Sequence, residues 1–205
     1  MEDIQRSFNG VSTSIISDVM DRLPGTNQLK PMHGSTQLIG RALTVKVAAG
    51  DNLFIHKALR TVQPGDVLVI DAGGGVDRAL IGEIMLAVAK MRGAVGYVVD
   101  GAIRDVGAFS KNDFPCFAKG VTHRGPYKNG PGAVNIPVSI DGAVVQPGDI
   151  VIGDEDGVVF IPVEKAEEIL GLARKKMKLE ADTLSGIGRN VYDDSWIEAS
   201  LLKQG

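Results

Sequence analysis

The chain has a single cysteine, three histidines and one tryptophan among 205 residues, and aromatics make up only 5% of it. One thiol, Cys116, excludes an internal disulfide and argues against a cysteine-built zinc site. Its neighbours Phe114, Pro115 and Phe117 mark it as a buried structural thiol rather than a nucleophile. His33, His56 and His123 show no metal-type spacing, and no Ser-His-Asp order with a nucleophile elbow occurs. No apolar run is long enough to span a bilayer. The opening residues, Met1 to Arg6, lack the basic and apolar regions of a signal peptide, so the cytoplasm is the expected compartment. A net charge of −3 with no basic block leaves no electrostatic footprint for nucleic acid. Arg174-Lys175-Lys176 follows Glu164, Glu167 and Glu168 and reads as a solvated helix face.

What the chain has in quantity is glycine, 26 residues, dispersed rather than periodic. That distribution implies many tight turns between short elements. The hydrophobic share of 44% suits a single soluble domain with a full core. Ser12-Thr13-Ser14 before Ile15, Ile16, Val19 and Met20 predicts an N-cap and a short helix ending near Leu23-Pro24-Gly25. Leu43 to Val47 alternates like a strand, Asn52 to Leu59 suits a short helix, and Val67 to Ile70 reads as a buried strand. Ala79 to Met91 is expected to be one helix capped by Gly93, followed by a strand over Val95 to Val99 and a helix around Val106 to Lys111. This order implies parallel pairing. From Phe114 to Ile161, short β-rich runs such as Val134 to Val138 alternate with Gly/Pro turns, which predicts a mostly antiparallel section. Val163 to about Leu184 reads as a long charged amphipathic helix.

Gln63-Pro64-Gly65-Asp66 and Gln146-Pro147-Gly148-Asp149 repeat one solution, Pro-Gly at the centre of a type II turn feeding a strand. Gly73-Gly74-Gly75 before a helix could cradle an anion, but it spells neither a Walker A nor a dinucleotide pattern. Asp154-Glu155-Asp156-Gly157 lacks the alternating ligands of an EF-hand and suits a hairpin turn. His123-Arg124 suits a surface pair more than a substrate contact.

Asp100-Gly101-Ala102-Ile103-Arg104-Asp105 carries the most chemistry. It follows the apolar run Val95 to Val99, which places a carboxylate, a guanidinium and a second carboxylate where a strand ends, with Gly101 expected to turn the backbone. Arg104 can fork onto a substrate carboxylate, and Asp105 can hold a hard cation. The same two residues also suit an ion pair pinning a tight turn, and spacing alone does not choose. Glu83, near the start of the preceding helix, is either an ordinary first-turn glutamate or a third group facing the same strand ends.

Taken together, Gly82 to Met85, Val99 to Asp105, Pro147-Gly148-Asp149 and Asp154 to Pro162 resemble the RraA-like family. That family includes class II 4-hydroxy-4-methyl-2-oxoglutarate / 4-carboxy-4-hydroxy-2-oxoadipate aldolases and the regulators of ribonuclease E activity. The resemblance runs from about Ser12 to Pro162. It implies an α/β fold, an α-β-β-α sandwich of the swivelling-domain type with mixed sheets. It implies homotrimers or hexamers with active sites between subunits; the chain itself reads as one such domain over residues 1–184 with an extension over residues 185–205, which holds the lone Trp196 and suits docking on a neighbouring subunit. Carried over by position, Arg104 would bind the carboxylate of a pyruvate-like substrate. Asp105 would ligate Mg²⁺ or Mn²⁺, Glu83 would hold a water of that metal, and N–H groups of Gly82, Glu83, Ile84 and Met85 would bind the pyruvyl group. The implied reaction is retro-aldol cleavage of a 4-hydroxy-2-oxo diacid, or decarboxylation of oxaloacetate, each giving pyruvate. Neither requires a lysine Schiff base. The chain departs from the aldolases at Leu184-Ser185-Gly186-Ile187-Gly188-Arg189, which lacks the acid that they carry there. A non-catalytic regulator binding ribonuclease E or another protein is therefore the alternative.

Overall fold

The computed structural model describes residues 2–22 and 25–203. The elements are α1 (Glu2–Phe8), α2 (Thr13–Val19), β1 (Lys30–Pro31), β2 (Leu38–Val47), α3 (Leu53–Leu59), β3 (Asp66–Asp71), β4 (Ala79–Ile81), α4 (Glu83–Met91), β5 (Gly96–Ile103), α5 (Val106–Asn112), β6 (Cys116–Val121), β7 (Gly132–Val134), β8 (Val138–Ile140), β9 (Ala143–Val145), β10 (Ile150–Asp154), β11 (Gly157–Ile161), α6 (Ala166–Ile187) and α7 (Ser195–Leu201). A short 3₁₀ turn, Val163–Lys165, leads into α6. Ser12 caps α2 by accepting from the Ile15 N–H. Leu23 and Pro24, where the sequence places the end of that helix, lie outside the described residues.

The main sheet runs β1-β6-β5-β3-β2-β10-β11, with β4 added to β5 and β7 to β2. Its centre, β2-β3-β5-β6, is parallel. The β10–β11 hairpin joins β2 antiparallel. β5 is buried along its whole length, which is why its sequence, Asp100 apart, is apolar without alternation. On one face, Leu68, Ile70, Tyr97 and Val99 pack with Ile55 of α3, Leu86 of α4 and Phe109 of α5. Each fully buried side chain of this size contributes about 1.5–3 kcal/mol. On the other face, Val67, Val69, Val98 and Phe117 meet Val138 and Ile140 of β8 and Val158 and Phe160 of β11. Gly153 of β10 lets this closure happen, since a Cβ there would sit 2.7 Å from the Phe117 ring. The mixed sheet thus curls until it is nearly a barrel. A third cluster joins Phe8 of α1, Ile16 of α2 and Ile169 of α6 to Ile150, Ile152 and Ile161.

The two Pro-Gly turns form as expected. Gly65 and Gly148 take φ of 88° and 89°. In each turn the aspartate N–H donates to the glutamine carbonyl, and the glutamine N–H donates back to the aspartate carboxylate.

Four expectations are corrected. The segment from Ala79 to Met91 is not one helix, because Ala79–Ile81 is the buried strand β4 and α4 starts only at Glu83. The β5 strand continues past Val99 to Ile103, so Asp100 is a buried residue inside it rather than the start of a turn. Gly101 does not turn the chain; it allows close packing, since a Cβ would sit 2.9 Å from Leu80 Cδ1 and 3.2 Å from the Gly75 carbonyl. The run Val134 to Val138 is broken where Asn135 adopts a φ of 58°, ending β7 before β8 begins. No helix among the described residues is long and apolar enough to cross a membrane.

Candidate active site

Gly82, Glu83, Ile84, Met85, Arg104 and Asp105 all line one cavity of about 360 Å³. It lies where β4 and β5 end, and its floor is Ala79, Leu80 and Ile81. Two features aim the site. Tyr97 in β5 donates its hydroxyl to the Met85 carbonyl at 2.9 Å, tying the first turn of α4 to the sheet. The Arg104 N–H donates to the Ile81 carbonyl at 3.0 Å, holding the two strand ends together.

Asp105 is the residue that turns the chain. It sits at the N-cap of α5 in the left-handed region, φ 56° and ψ 38°, yet its side chain makes no capping bond to its own helix. Such a conformation in a non-glycine residue costs about 1–3 kcal/mol and tends to occur at functional sites. The carboxylate reaches the neighbouring helix instead: Oδ2 accepts the Glu83 N–H at 3.0 Å and lies 3.6 Å from Arg104 Nε. Gly82, the N-cap of α4, has no side chain to do this. A Cβ on Gly82 would collide with Asp105 Oδ2 and sit 3.0 Å from Arg104 Cγ, so glycine is required by contact. The amides of Ile84 and Met85, in the first turn of α4, have no acceptor within the helix and favour an anion. Arg104 and Asp105 are each nearly half exposed, so both are reachable by a ligand.

The far wall was not legible in the sequence. It consists of Asn52, His56, Pro126 and Lys128. Asn52 donates to the Leu80 carbonyl at 2.8 Å and to Met85 Sδ at 3.4 Å, while its buried Oδ1 has no partner. Burial pushes the His56 pKa down and the Lys128 charge pushes it further, which favours the neutral imidazole. The cavity therefore holds two cations, Arg104 and Lys128, and two carboxylates, Asp105 and Glu83. Among the described residues no group of three or more His, Cys, Asp or Glu side chains comes together for a metal. Mg²⁺ does not need such a group; one or two carboxylates suffice, with water and substrate oxygens completing its shell. Asp105 and Glu83 fit that pattern.

The other residues singled out in the sequence lie elsewhere. Asp100 pairs with Lys119 at 2.7 Å, and Lys119 also meets Asp141 at 3.2 Å. Gly74 faces that lysine: a Cβ there would lie 2.9 Å from Nζ. The Asp154 turn closes the β10–β11 hairpin, and its carboxylate accepts the N–H and hydroxyl of Thr13. Cys116 is fully buried, and burial pushes its thiol pKa up. His123 is exposed and does not line the cavity.

The RraA-like family model, described as Aldolase/RraA, matches residues 13–160. This chain belongs to the RraA-like family. A family member from Halalkalibacterium halodurans, named "Putative 4-hydroxy-4-methyl-2-oxoglutarate aldolase", is 42% identical over 190 residues, covering 92% of this chain and 90% of the relative. The Streptomyces coelicolor RraAS2 structure, described as an unusual member of the RNase ES inhibitor RraA family, superposes with a TM-score of 0.81 at 29% identity, over 88% of this chain and 95% of that one. The RNA-processing inhibitor RraA from Thermus thermophilis superposes with a TM-score of 0.66 at 31% identity, over 74% of this chain and 92% of that one. The RraA-like family thus joins relatives named for aldol chemistry and relatives named for RNase inhibition.

Proposed function

We propose that this protein is a divalent-metal-dependent carbon–carbon lyase. It releases pyruvate from a 4-hydroxy-2-oxo diacid by retro-aldol cleavage, and from oxaloacetate by decarboxylation. One observation carries the reading: Asp105 is held in a strained conformation that brings its carboxylate, the Arg104 guanidinium and the first turn of α4 into one cavity. Arg104 forks onto the substrate carboxylate and fixes its register. The Ile84 and Met85 amides meet oxygens of the 2-oxo acid head. Asp105 would hold Mg²⁺ or Mn²⁺, with Glu83 on a water of that ion, and the metal would supply a Lewis acid for the charge that develops as the carbon–carbon bond breaks. Glu83, exposed at the cavity mouth, takes the proton of the substrate 4-hydroxyl and returns it to the carbon left electron-rich when the carbon–carbon bond breaks, so that pyruvate leaves. Lys128, the second cation, faces the distal carboxylate.

A homotrimer or hexamer with sites between subunits is part of this proposal, as are the swivelling α-β-β-α assignment and a cytoplasmic setting. Ile84, at the cavity rim, is 77% exposed, and Leu179, Leu184, Trp196 and Leu202 present further uncovered apolar surface on and after α6. Such surface is typical of a protein–protein contact. The segment Leu184 to Arg189 lacks an acid, which keeps the regulator reading as the alternative. The assay is pyruvate formation from oxaloacetate and from 4-hydroxy-4-methyl-2-oxoglutarate, with and without Mg²⁺ or Mn²⁺. Metal-stimulated pyruvate release supports the lyase. Its absence with both substrates, together with pull-down of a ribonuclease E scaffold, would establish the regulator instead.

A further inference from the structure

The loop between β6 and β7 carries Pro126 and Lys128 of the cavity's far wall and is gripped at both ends. At one end, Arg78 donates to the Gly125 carbonyl and to the Tyr127 hydroxyl, both at 2.8 Å, with its guanidinium 4.1 Å from the Tyr127 ring centre. At the other end stands Asp51, only 3% exposed. Its two carboxylate oxygens serve two different elements. Oδ1 accepts the Leu53 N–H at 2.9 Å, at the start of α3. Oδ2 accepts the N–H groups of Asn129 and Gly130, at 2.5 and 3.1 Å. Around them, the Tyr127 N–H donates to Gly50 and its carbonyl accepts the Asn52 N–H. Lys128 lies between the two grips and lines the same cavity as Arg104, whose Nη1 would lie 3.4 Å from a Cβ on Gly125 near the first grip.

We infer that Asp51 is a positioning residue: by holding the Asn129 and Gly130 amides it fixes the Lys128 ammonium over the cavity, and so sets a preference for diacids over monoacids. This rests on the reading above, in which Arg104 takes the carboxylate of a 2-oxo acid. Asp51 is suited to the task because it is charged and saturated. Burial pushes its pKa up, but the amides of Asn129, Leu53 and Gly130, with the nearby Lys128 charge, outweigh burial and hold it below the usual carboxylate range. Three hydrogen bonds to an ionised acceptor are stronger than three to a neutral one. Without the carboxylate, the loop loses the two bonds that follow Lys128 and keeps the Tyr127 and Arg78 bonds that precede it, so the backbone is loosened on the far side of Lys128 while the Gly125 end beside Arg104 stays held.

The test is calorimetric binding of 2-oxoglutarate and of pyruvate, in Mg²⁺, to the full-length protein and to Asp51→Ala, Lys128→Met and the double variant. The probe 2-oxoglutarate carries both the 2-oxo acid head and a distal carboxylate, and it lacks the 4-hydroxyl that cleavage needs. The unaltered protein is expected to bind it at least about tenfold tighter than pyruvate, the size of one charge-assisted contact. Asp51→Ala and Lys128→Met should each abolish that preference, with 2-oxoglutarate affinity falling far more than pyruvate affinity. The double variant should fall no further. Asp51→Asn, which keeps one acceptor oxygen, should lose the preference only in part. The inference is overturned if the unaltered protein shows no preference, if Asp51→Ala keeps it, if Asp51→Ala weakens both ligands alike, or if the two substitutions add. Pyruvate release from oxaloacetate by the unaltered protein tests the lyase reading separately: the binding pattern without turnover would sink that reading and leave the role of Asp51 standing.

Discussion

Asp100 and Asp105 belong to one hexapeptide, and each meets a cation, yet the two pairs are built differently. The Asp100–Lys119 pair is closed at 2.7 Å, with side-chain exposures of 7% and 16%, and Asp141 holds the same lysine from the β8–β9 hairpin. The Arg104–Asp105 pair is open at 3.6 Å, with exposures of 44% and 45%, on a strained turn above a cavity. Closed, buried pairs hold their charged groups on each other, and breaking them destabilises the fold. Open, half-exposed pairs are worth little to stability, and their groups remain available. Under the proposed function, the first aspartate serves the fold and the second serves a ligand.

The comparison can be broken at four points. Arg104→Met should have the largest effect on activity, lowering kcat/KM for pyruvate release about 10³-fold, since truncating one side of a charged contact costs about 2–5 kcal/mol. Its unfolding midpoint in urea should hardly move. Asp100→Ala should do the reverse: about 3 kcal/mol of stability lost, because Lys119 is left with Asp141 alone, while activity per folded molecule is retained. Gly82→Ala should fall between. The added methyl pushes Asp105 and Arg104 apart, and a displacement of that order can cost about 10²-fold in rate; steady-state kinetics beside a melting curve would show rate lost out of proportion to stability.

The smallest effect is the share of the pH dependence that comes from the buried cluster. Burial raises the Asp141 pKa, but the Gln28 and Asn27 amides and Lys119 outweigh it and hold the carboxyl below its usual range. The stability it contributes is therefore present above the unfolded value of about 3.9 and is lost as pH falls through the lower folded value. Burial lowers the Lys119 pKa, but Asp100 and Asp141 outweigh it and raise the net value. Its contribution is present below the unfolded value of about 10.4 and is lost as pH rises through the higher folded one. Asp141→Asn should flatten both limbs of a stability-versus-pH curve measured by urea titration.

Much of this was legible in the sequence, and the parts that were not share a cause. The strand runs at Val67 and Val95, the helix over Val106 to Lys111 and the paired Pro-Gly turns follow from local pattern, which acts within a few residues. Glu83, Arg104 and Asp105 could be brought together because parallel strands bring their C-terminal ends side by side. β4 escaped because three residues of Ala-Leu-Ile have helical propensity and become a strand only by pairing with β5. The orientation of Asp100 escaped because nothing local says that β5 continues to Ile103. Asn52 and Lys128 escaped because they reach the cavity through contacts distant in sequence, Asn52 to Leu80 and Asp51 to Asn129, which leave no periodic trace.

The central claim is that Asp105 acts on a ligand while Asp100 acts on the fold. The most direct measurement is pyruvate release from oxaloacetate in Mg²⁺ by Asp105→Asn, with its unfolding free energy taken on the same preparation. Asparagine tolerates the left-handed backbone and keeps an oxygen to accept the Glu83 N–H, so only the charge is removed. The account predicts stability within about 0.5 kcal/mol of the unaltered protein and metal-stimulated turnover reduced to background. Full turnover in a folded Asp105→Asn protein, or equal loss of turnover and stability, would contradict it.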